Sequence, residues 1–189
     1  MKKQTSNKKP VVILGAGGHA RVLQDCLALL KRKVLDVCED DRLVLKKYKP
    51  QKVELVLGIG SVGDTQLRRD VFKKFKSKGF VFASVIHPSA VVAADVILGD
   101  GVQIMAGVVV QTGTKLEDNV LVNTRSSIDH DSLIGAHVHI APGVTLSGGV
   151  TIGKGSHVGV GVTVIQGVTV GENCLVRAGS VITKNFHRS

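Results

Sequence analysis

Seven histidines, at positions 19, 87, 130, 137, 139, 157 and 187, are the groups in this 189-residue chain best suited to acid–base or metal chemistry near neutral pH. His130 stands between Asp129 and Asp131. A carboxylate beside an imidazole can orient the ring and stabilise its protonated form, which suits a general base. An exposed turn histidine with no role fits the same residues equally well. A second candidate is the stretch Gly15-Ala16-Gly17-Gly18-His19-Ala20. A glycine-rich turn from a strand into a helix offers backbone N–H groups to phosphate. Its G-x-G-x-x-A form, with an acidic pair about twenty residues on, also has the outline of a dinucleotide fingerprint. The sheet is too small for a second mononucleotide half, which favours a single nucleotide or a nucleotide sugar over NAD. Cys26, Cys38 and Cys174 are odd in number and widely spaced, which suggests neither a disulfide framework nor a metal knuckle.

The element that must position the histidines is a repeat. Residues 86–181 run as sixteen hexapeptides without insertion, each opened by an aliphatic residue, from Ile86, Val92 and Leu98 to Val164, Val170 and Val176. Four places after each opener comes a small or β-branched residue, such as Ala90, Val96, Ser156 or Ser180, with Cys174 in the same place. A period of six is not helical, and strand alternation alone does not enforce it. It is the pattern of a parallel β-helix, expected to wind left-handed with three hexapeptides per coil. One coil then takes 18 residues, so Gly148 lies over His130 and His157 over His139. His130 is the third residue of its unit, which turns its ring outward and leaves nothing bulky above it. Hexapeptide-repeat carbonic anhydrases bind zinc with three histidines that include a pair five apart. No such pair occurs here, and no metal is expected. His87, in Ile86-His87-Pro88-Ser89, reads as a structural junction where the repeats begin.

The first 80 residues have a different rhythm. An apolar strand at 11–14 leads through the glycine turn to a helix with Val22, Leu23, Cys26, Leu27 and Leu30 on one face. Strands follow at 34–38 and 53–59, then a helix that Asp64 can cap and Gly79 can close, with Leu67, Val71, Phe72 and Phe75 inward. A last strand, 80–85, enters the repeats. The fold class is thus α/β plus β: a basic tail (1–10), a small Rossmann-like domain (11–85) and a β-helix (86–189). Residues 1–79 hold 19 Lys/Arg against 8 Asp/Glu, whereas 80–189 hold 6 against 7. A basic first domain suits an anionic ligand. Nucleic acid is disfavoured because no aromatic residue interleaves with the lysines. No apolar run is long enough to cross a membrane and no cleavage-type stretch follows the lysine-rich start, so a cytoplasmic protein is expected.

Several segments together resemble one family. Val12-Ile13-Leu14-Gly15-Ala16-Gly17-Gly18-His19-Ala20, Gly58-Ile59-Gly60-Ser61 with Arg68, and Val85-Ile86-His87-Pro88-Ser89-Ala90 are its N-terminal landmarks. Asn123-Thr124-Arg125-Ser126-Ser127-Ile128-Asp129-His130-Asp131 and His139-Ile140-Ala141-Pro142-Gly143 resemble its catalytic stretch. Over residues 11 to 185 the chain is similar to the bacterial sugar acetyltransferases of the sialic-acid O-acetyltransferase type, close to the N-acetyltransferases of UDP-4-amino sugars. The resemblance implies acetyl-CoA as co-substrate, a nucleotide-sugar acceptor, and a homotrimer with active sites between subunits. It makes His130 the general base, with Asp131 as its partner. It places Asn123 near the amino sugar and His139 and Gly148 along the acetyl-CoA thioester. Gly17, Gly18 and His19 are implied at the sugar nucleotide's phosphates, Glu39 and Asp40 at its base, and Gly60 and Arg68 as further substrate contacts. The family usually has two aspartates where Glu39 and Asp40 stand, and generally continues into a Gly-x-Pro-Ala-Lys-type tail that helps cover CoA; this sequence ends at His187-Arg188-Ser189. O-acetylation of a sialic acid or another sugar hydroxyl would use the same base and is the alternative reaction.

Overall fold

The computed structural model describes residues 9–187; most of the basic tail lies outside them. Its first part is a three-stranded parallel sheet of order β2-β1-β3, formed by β1 (Val11–Leu14), β2 (Val34–Cys38) and β3 (Glu54–Leu57). The central strand β1 is buried along its whole length, as an unbroken apolar run covered on both faces must be. Helix α1 (Gly18–Leu29) buries Ala20, Leu23, Cys26 and Leu27, a stripe at steps of three and four. Val22 and Leu30, expected on that face, are about half and one-third exposed: Val22 falls at the edge of the stripe, and Leu30 is the C-cap, beyond the last helical residue. Helix α2 (Asp41–Lys47) was not expected from the acidic cluster. Asp40 starts it by accepting a hydrogen bond from the Arg42 N–H.

Helix α3 (Gln66–Ser77) follows the predicted position, with the Asp64 carboxylate accepting from Gln66 N–H and Gly79 in a left-handed turn at its end. Its buried stripe is Arg68, Val71, Phe72 and Phe75. Leu67 is exposed and Arg68 takes the inward place, which corrects the expected apolar face. The expected strand 80–85 reduces to a single bridge between Leu55 and Phe82 before the repeats begin.

From β4 (Val85–Ile86) to β20 (Val181–Ile182) the chain makes two-residue strands stacked into three parallel sheets. Each residue pairs with the one 18 places on, for example Leu121 with His139 and His139 with His157. The aliphatic openers and the residues four places after them fill one core running the length of the prism. Corner residues recur in the left-handed region: Gly113, Asp131, Gly149 and Gly167 form one such column. Aspartate tolerates that conformation better than most side chains, so the turn can carry Asp131 beside His130.

The first face of the prism presents Val85, Gln103, Leu121, His139, His157 and Leu175 outward. The N-terminal domain covers it: Val85, Met105 and Leu121 share a core with Val11, Ile13, Leu23 and Leu27. His130 lies in the corner between the second and third faces, since it falls between β11 (Ser127–Ile128) and β12 (Leu133–Ile134). That corner is opposite the first face. No described helix is long and apolar enough to cross a membrane.

Candidate active site

His130 projects from its corner with its side chain more than half exposed, as the hexapeptide position predicts. Its Nδ1 lies 2.8 Å from Asp131 Oδ2. A carboxylate only accepts, so Nδ1 carries the proton and Nε2 is left with its lone pair. The hydrogen bond to Asp131, with the charges of Asp129 and Asp131, holds the His130 pKa above its ordinary value. Gly148 stands one coil up. A Cβ there would lie 2.5 Å from His130 Nε2, so only glycine leaves this nitrogen its position. On the coil below, a Cβ at Gly113 would strike the Asp131 carboxylate. Two absent side chains thus frame an oriented imidazole whose free nitrogen can take a proton.

A second set of groups converges on the opposite side. The strand order β2-β1-β3 puts the topological switch between β1 and β3, where open α/β sheets bind ligands at the strands' carboxyl ends. The 15–18 and 58–61 loops meet there with no space to spare: a Cβ at Gly15 would lie 2.9 Å from Ile59 Cγ1, and one at Gly58 2.6 Å from Ile13. By contrast, a Cβ at Gly17 meets nothing within 4 Å and one at Gly18 only the tip of Arg21, so this side of the loop is open to a ligand. Gly17 caps α1 without a side-chain bond and the first turn holds no acid, which leaves the helix N-terminus suited to an anion. Beside β2, a cavity of about 630 Å³ is lined by Asp36, Glu39, Asp40, Leu43 and two lysines. Asp40 is held by Arg42, and Asp36 by Lys47 and Tyr48, which pull the Asp36 pKa down to about 2.

Between the crevice and the β-helix runs a buried polar network. Gln103 Oε1 is 2.7 Å from His19 Nε2 and accepts from Arg68 Nη2, while Gln103 Nε2 donates to the Leu57 carbonyl. Arg68 also donates to the carbonyls of Leu57 and Ile59. Its side chain is 1% exposed, and none of its described partners is a carboxylate. Burial pushes its pKa down to about 9, so it stays charged at neutral pH. Ser61 Oγ lies 2.6 Å from His139 Nδ1, and Asn123 Nδ2 lies 3.2 Å from His139 Nε2. His139 packs edge-on against His157, with ring centroids 4.8 Å apart. Burial and then Arg68 lower the His19 pKa to about 4; burial, His157, Arg68 and His19 lower that of His139 to about 3.

The structure brings His130, Asp131 and Gly148 together at one corner, and Gly17, Gly18, His19, Gly60, Arg68, Asn123 and His139 together at the other side. Glu39 and Asp40 line the cavity next to the glycine loop. Arg68, expected as a substrate contact, is not open to the crevice, because its side chain is buried behind the Leu57 and Ile59 carbonyls that it bonds. His139 and Gly148 lie on opposite sides of the prism, so one thioester could meet both only between copies. Gln103 was missed. Its signal was present, as the one uncharged amide in an outward column otherwise of Val, Leu and His. Ser61 stands in the Gly58–Ser61 segment, and only the fold brings its hydroxyl to His139. Among the described residues no group of three His, Cys, Asp or Glu side chains could hold a metal ion.

Comparison with known proteins gives three family matches: the PglD N-terminal domain over residues 10–75, the hexapeptide repeat of succinyl-transferase over 126–164, and the bacterial transferase hexapeptide (six repeats) over 149–184. A UDP-N-acetylbacillosamine N-acetyltransferase of Bacillus subtilis is 31% identical over 114 residues, 52% of either chain, so the match spans about half the length of that relative. The acetyltransferase domain of PglB from Neisseria gonorrhoeae, solved with acetyl coenzyme A, is 34% identical with a TM-score of 0.88, covering 95% of this chain and 93% of its own. PerB from Caulobacter crescentus, solved with CoA and GDP-perosamine, is 37% identical with a TM-score of 0.87 over 95% and 91% of the two chains.

Proposed function

Because the chain belongs to the PglD-type sugar acetyltransferases, we propose that it transfers the acetyl group of acetyl-CoA to the amine of a nucleotide-linked 4-amino-4,6-dideoxy sugar. The observation that carries this reading is His130, with Nδ1 committed to Asp131 and Nε2 kept clear by Gly148. The amine lone pair attacks the thioester carbonyl, an N–C bond forms and the C–S bond breaks. His130 Nε2 takes the amine proton and returns it to the departing thiolate, while Asp131 steadies the imidazolium between those events. General-base assistance of this kind contributes roughly 10²–10⁴ in rate. The sugar nucleotide lies along the 15–18 and 58–61 loops, with its base in the cavity beside Glu39 and Asp40.

This reading requires more than one copy, since each chain holds its base and its crevice on opposite sides of the prism. A closed ring solves the problem by setting one copy's corner against the next copy's first face. The second face fits the inside of such a ring: its outward residues Val91, Val109, Ser127, Thr145, Thr163 and Val181 carry no charge. The enzyme is a homotrimer whose sites combine His130 and Gly148 of one copy with His139 and the crevice of another. A cytoplasmic location fits the three buried, unpaired cysteines.

Thiol release from acetyl-CoA, measured over a panel of UDP- and GDP-linked 4-amino sugars and free sialic acids, tests the reaction. The panel carries both nucleotides because the relatives include both kinds. Turnover with sialic acid alone would replace this reading by O-acetylation. Co-expressing His130→Ala with Gly17→Glu tests the shared site. Each is inactive alone, and random mixing in a ring restores about a quarter of the sites. No recovery means that the site lies within one copy.

A further inference from the structure

Hydrogen-bond direction through the buried network assigns a role to Ser61. Asn123 Oδ1 accepts from the Thr124 backbone N–H at 2.8 Å, which can only donate, so the other end of that amide, Nδ2, faces His139. An NH₂ group donates, and His139 Nε2 must therefore accept. A neutral imidazole with Nε2 unprotonated carries its proton on Nδ1 and donates it to Ser61 Oγ. The Ser61 hydroxyl, already accepting from His139, turns its own proton away from the ring. Each step leaves one choice, so two β-helix residues fix the direction of a hydroxyl in the 58–61 loop of the other domain.

Behind that loop stands a cation with no carboxylate among its described partners. This is Arg68, fully buried and charged, bonded to the Leu57 and Ile59 carbonyls and to Gln103, with its Nε unpartnered. A buried cation held only by dipoles leaves an uncompensated positive field. The field acts at the ligand crevice, across from the open glycine turn at Gly17. A directed hydroxyl proton on the 58–61 loop and a buried cation of α3 behind that loop call for the same thing, an anionic oxygen.

We propose that Ser61 donates its hydroxyl hydrogen bond to the diphosphate of the nucleotide-linked substrate, with Asn123 and His139 as positioning residues that act through it. This rests on the nucleotide-sugar reading above and departs from the roles that the family resemblance gives these two residues, beside the amino sugar and the thioester. It makes the β-helix a determinant of nucleotide affinity, separate from acetyl transfer.

The test is calorimetric titration of the full-length protein with UDP and with GDP, without acetyl-CoA. Hydrogen bonds to charged groups are strong enough that Ser61→Ala should weaken nucleoside diphosphate binding about tenfold or more, and Ser61→Thr, which keeps the hydroxyl, should restore it. Asn123→Ala should weaken binding less, because it frees the tautomer of His139 rather than removing the donor. Combined with Ser61→Ala it should add nothing. Long-range ¹H–¹⁵N spectra of labelled histidine should show His139 protonated on Nδ1. Wild-type binding that Ser61→Ala leaves unchanged overturns the proposal, as does full additivity of the two losses or an Nε2–H tautomer. If the wild-type protein binds neither UDP nor GDP, it is the nucleotide-linked substrate that fails, and this role for Ser61 fails with it. Thermal unfolding of each variant separates a lost contact from a lost fold.

Discussion

Gly148→Ala isolates the catalytic geometry from the stability of the frame. The new Cβ would lie 2.5 Å from His130 Nε2 and 2.6 Å from Cε1. Ordinary carbon contacts begin near 3.5 Å, so the ring must retreat by about 1 Å. It can do so cheaply for the fold, since His130 is an exposed side chain on a corner. Gly148 is also outside the left-handed region, where alanine is permitted and usually adds about 0.4–1 kcal/mol by restricting the unfolded chain. A misplacement of this size at a reacting group costs on the order of 10²-fold in rate. The expected result is a fall of kcat by about 100-fold in the thiol-release assay, with unchanged nucleotide affinity and a melting temperature no lower than wild type. Gly149→Ala is the control. Gly149 has φ +67° and no atom closer than 4.0 Å to its Cβ site. Its cost is backbone strain of about 1–2 kcal/mol, seen as lower stability with near-normal turnover. A Gly148→Ala enzyme of normal rate would falsify the assignment of Nε2 as the working nitrogen. A Gly149→Ala enzyme as inactive as Gly148→Ala would show that the turn as a whole matters and not its clearance over His130.

Asp131→Asn removes the main cause of the raised His130 pKa. The base works unprotonated, so the acidic limb of the kcat/KM profile should move to lower pH while the plateau falls; an unmoved limb would mean that another group titrates. His137, buried against Phe72 with its Nδ1 on Asn119, has its pKa lowered to about 4 by burial and by Lys73, Arg69 and Lys154, against Asp118. Its unfolded form takes a proton below about 6.5 and its folded form resists, so stability falls as pH drops from 6.5 towards 4, by up to about 1.4 kcal/mol per pH unit. His137→Asn keeps a residue that tolerates φ +63° and should flatten the acid limb of a denaturation series by about one proton; an unchanged slope refutes it. Gln103→Leu strips partners from His19, Arg68 and the Leu57 carbonyl. The cost, read from denaturant midpoints, should be about 2–4 kcal/mol, and a loss under about 1 kcal/mol would mean that Arg68 is compensated elsewhere.

Periodicity carried most of the fold and half of the site. The six-residue repeat placed every inward aliphatic residue, because a corner every sixth residue leaves only two positions per unit facing in. The 18-residue coil put Gly148 over His130 by arithmetic alone, and Asp131 is a neighbour in sequence. The other half was less legible. Leu67 looked like the inward residue of α3 because it is apolar, yet the helix turned Arg68 in, where backbone carbonyls and Gln103 take its donors. Helix α2 was hidden because its start reads as a charge cluster until Asp40 is seen to cap it. The strand at 80–85 did not form because only Phe82 finds a partner on β3.

By itself, the sequence determined the prism, its register and the pairing of His130 with Asp131, since these depend on steps of one, six and 18 along a regular path. Only the tertiary structure decided which outward column the N-terminal domain covers. That docking buries Gln103, His139 and His157, joins Asn123 to Ser61 across residues 62 places apart, and sets His130 on the far side of the prism from the crevice. Contacts between two domains obey no period, because they depend on how one surface fits another.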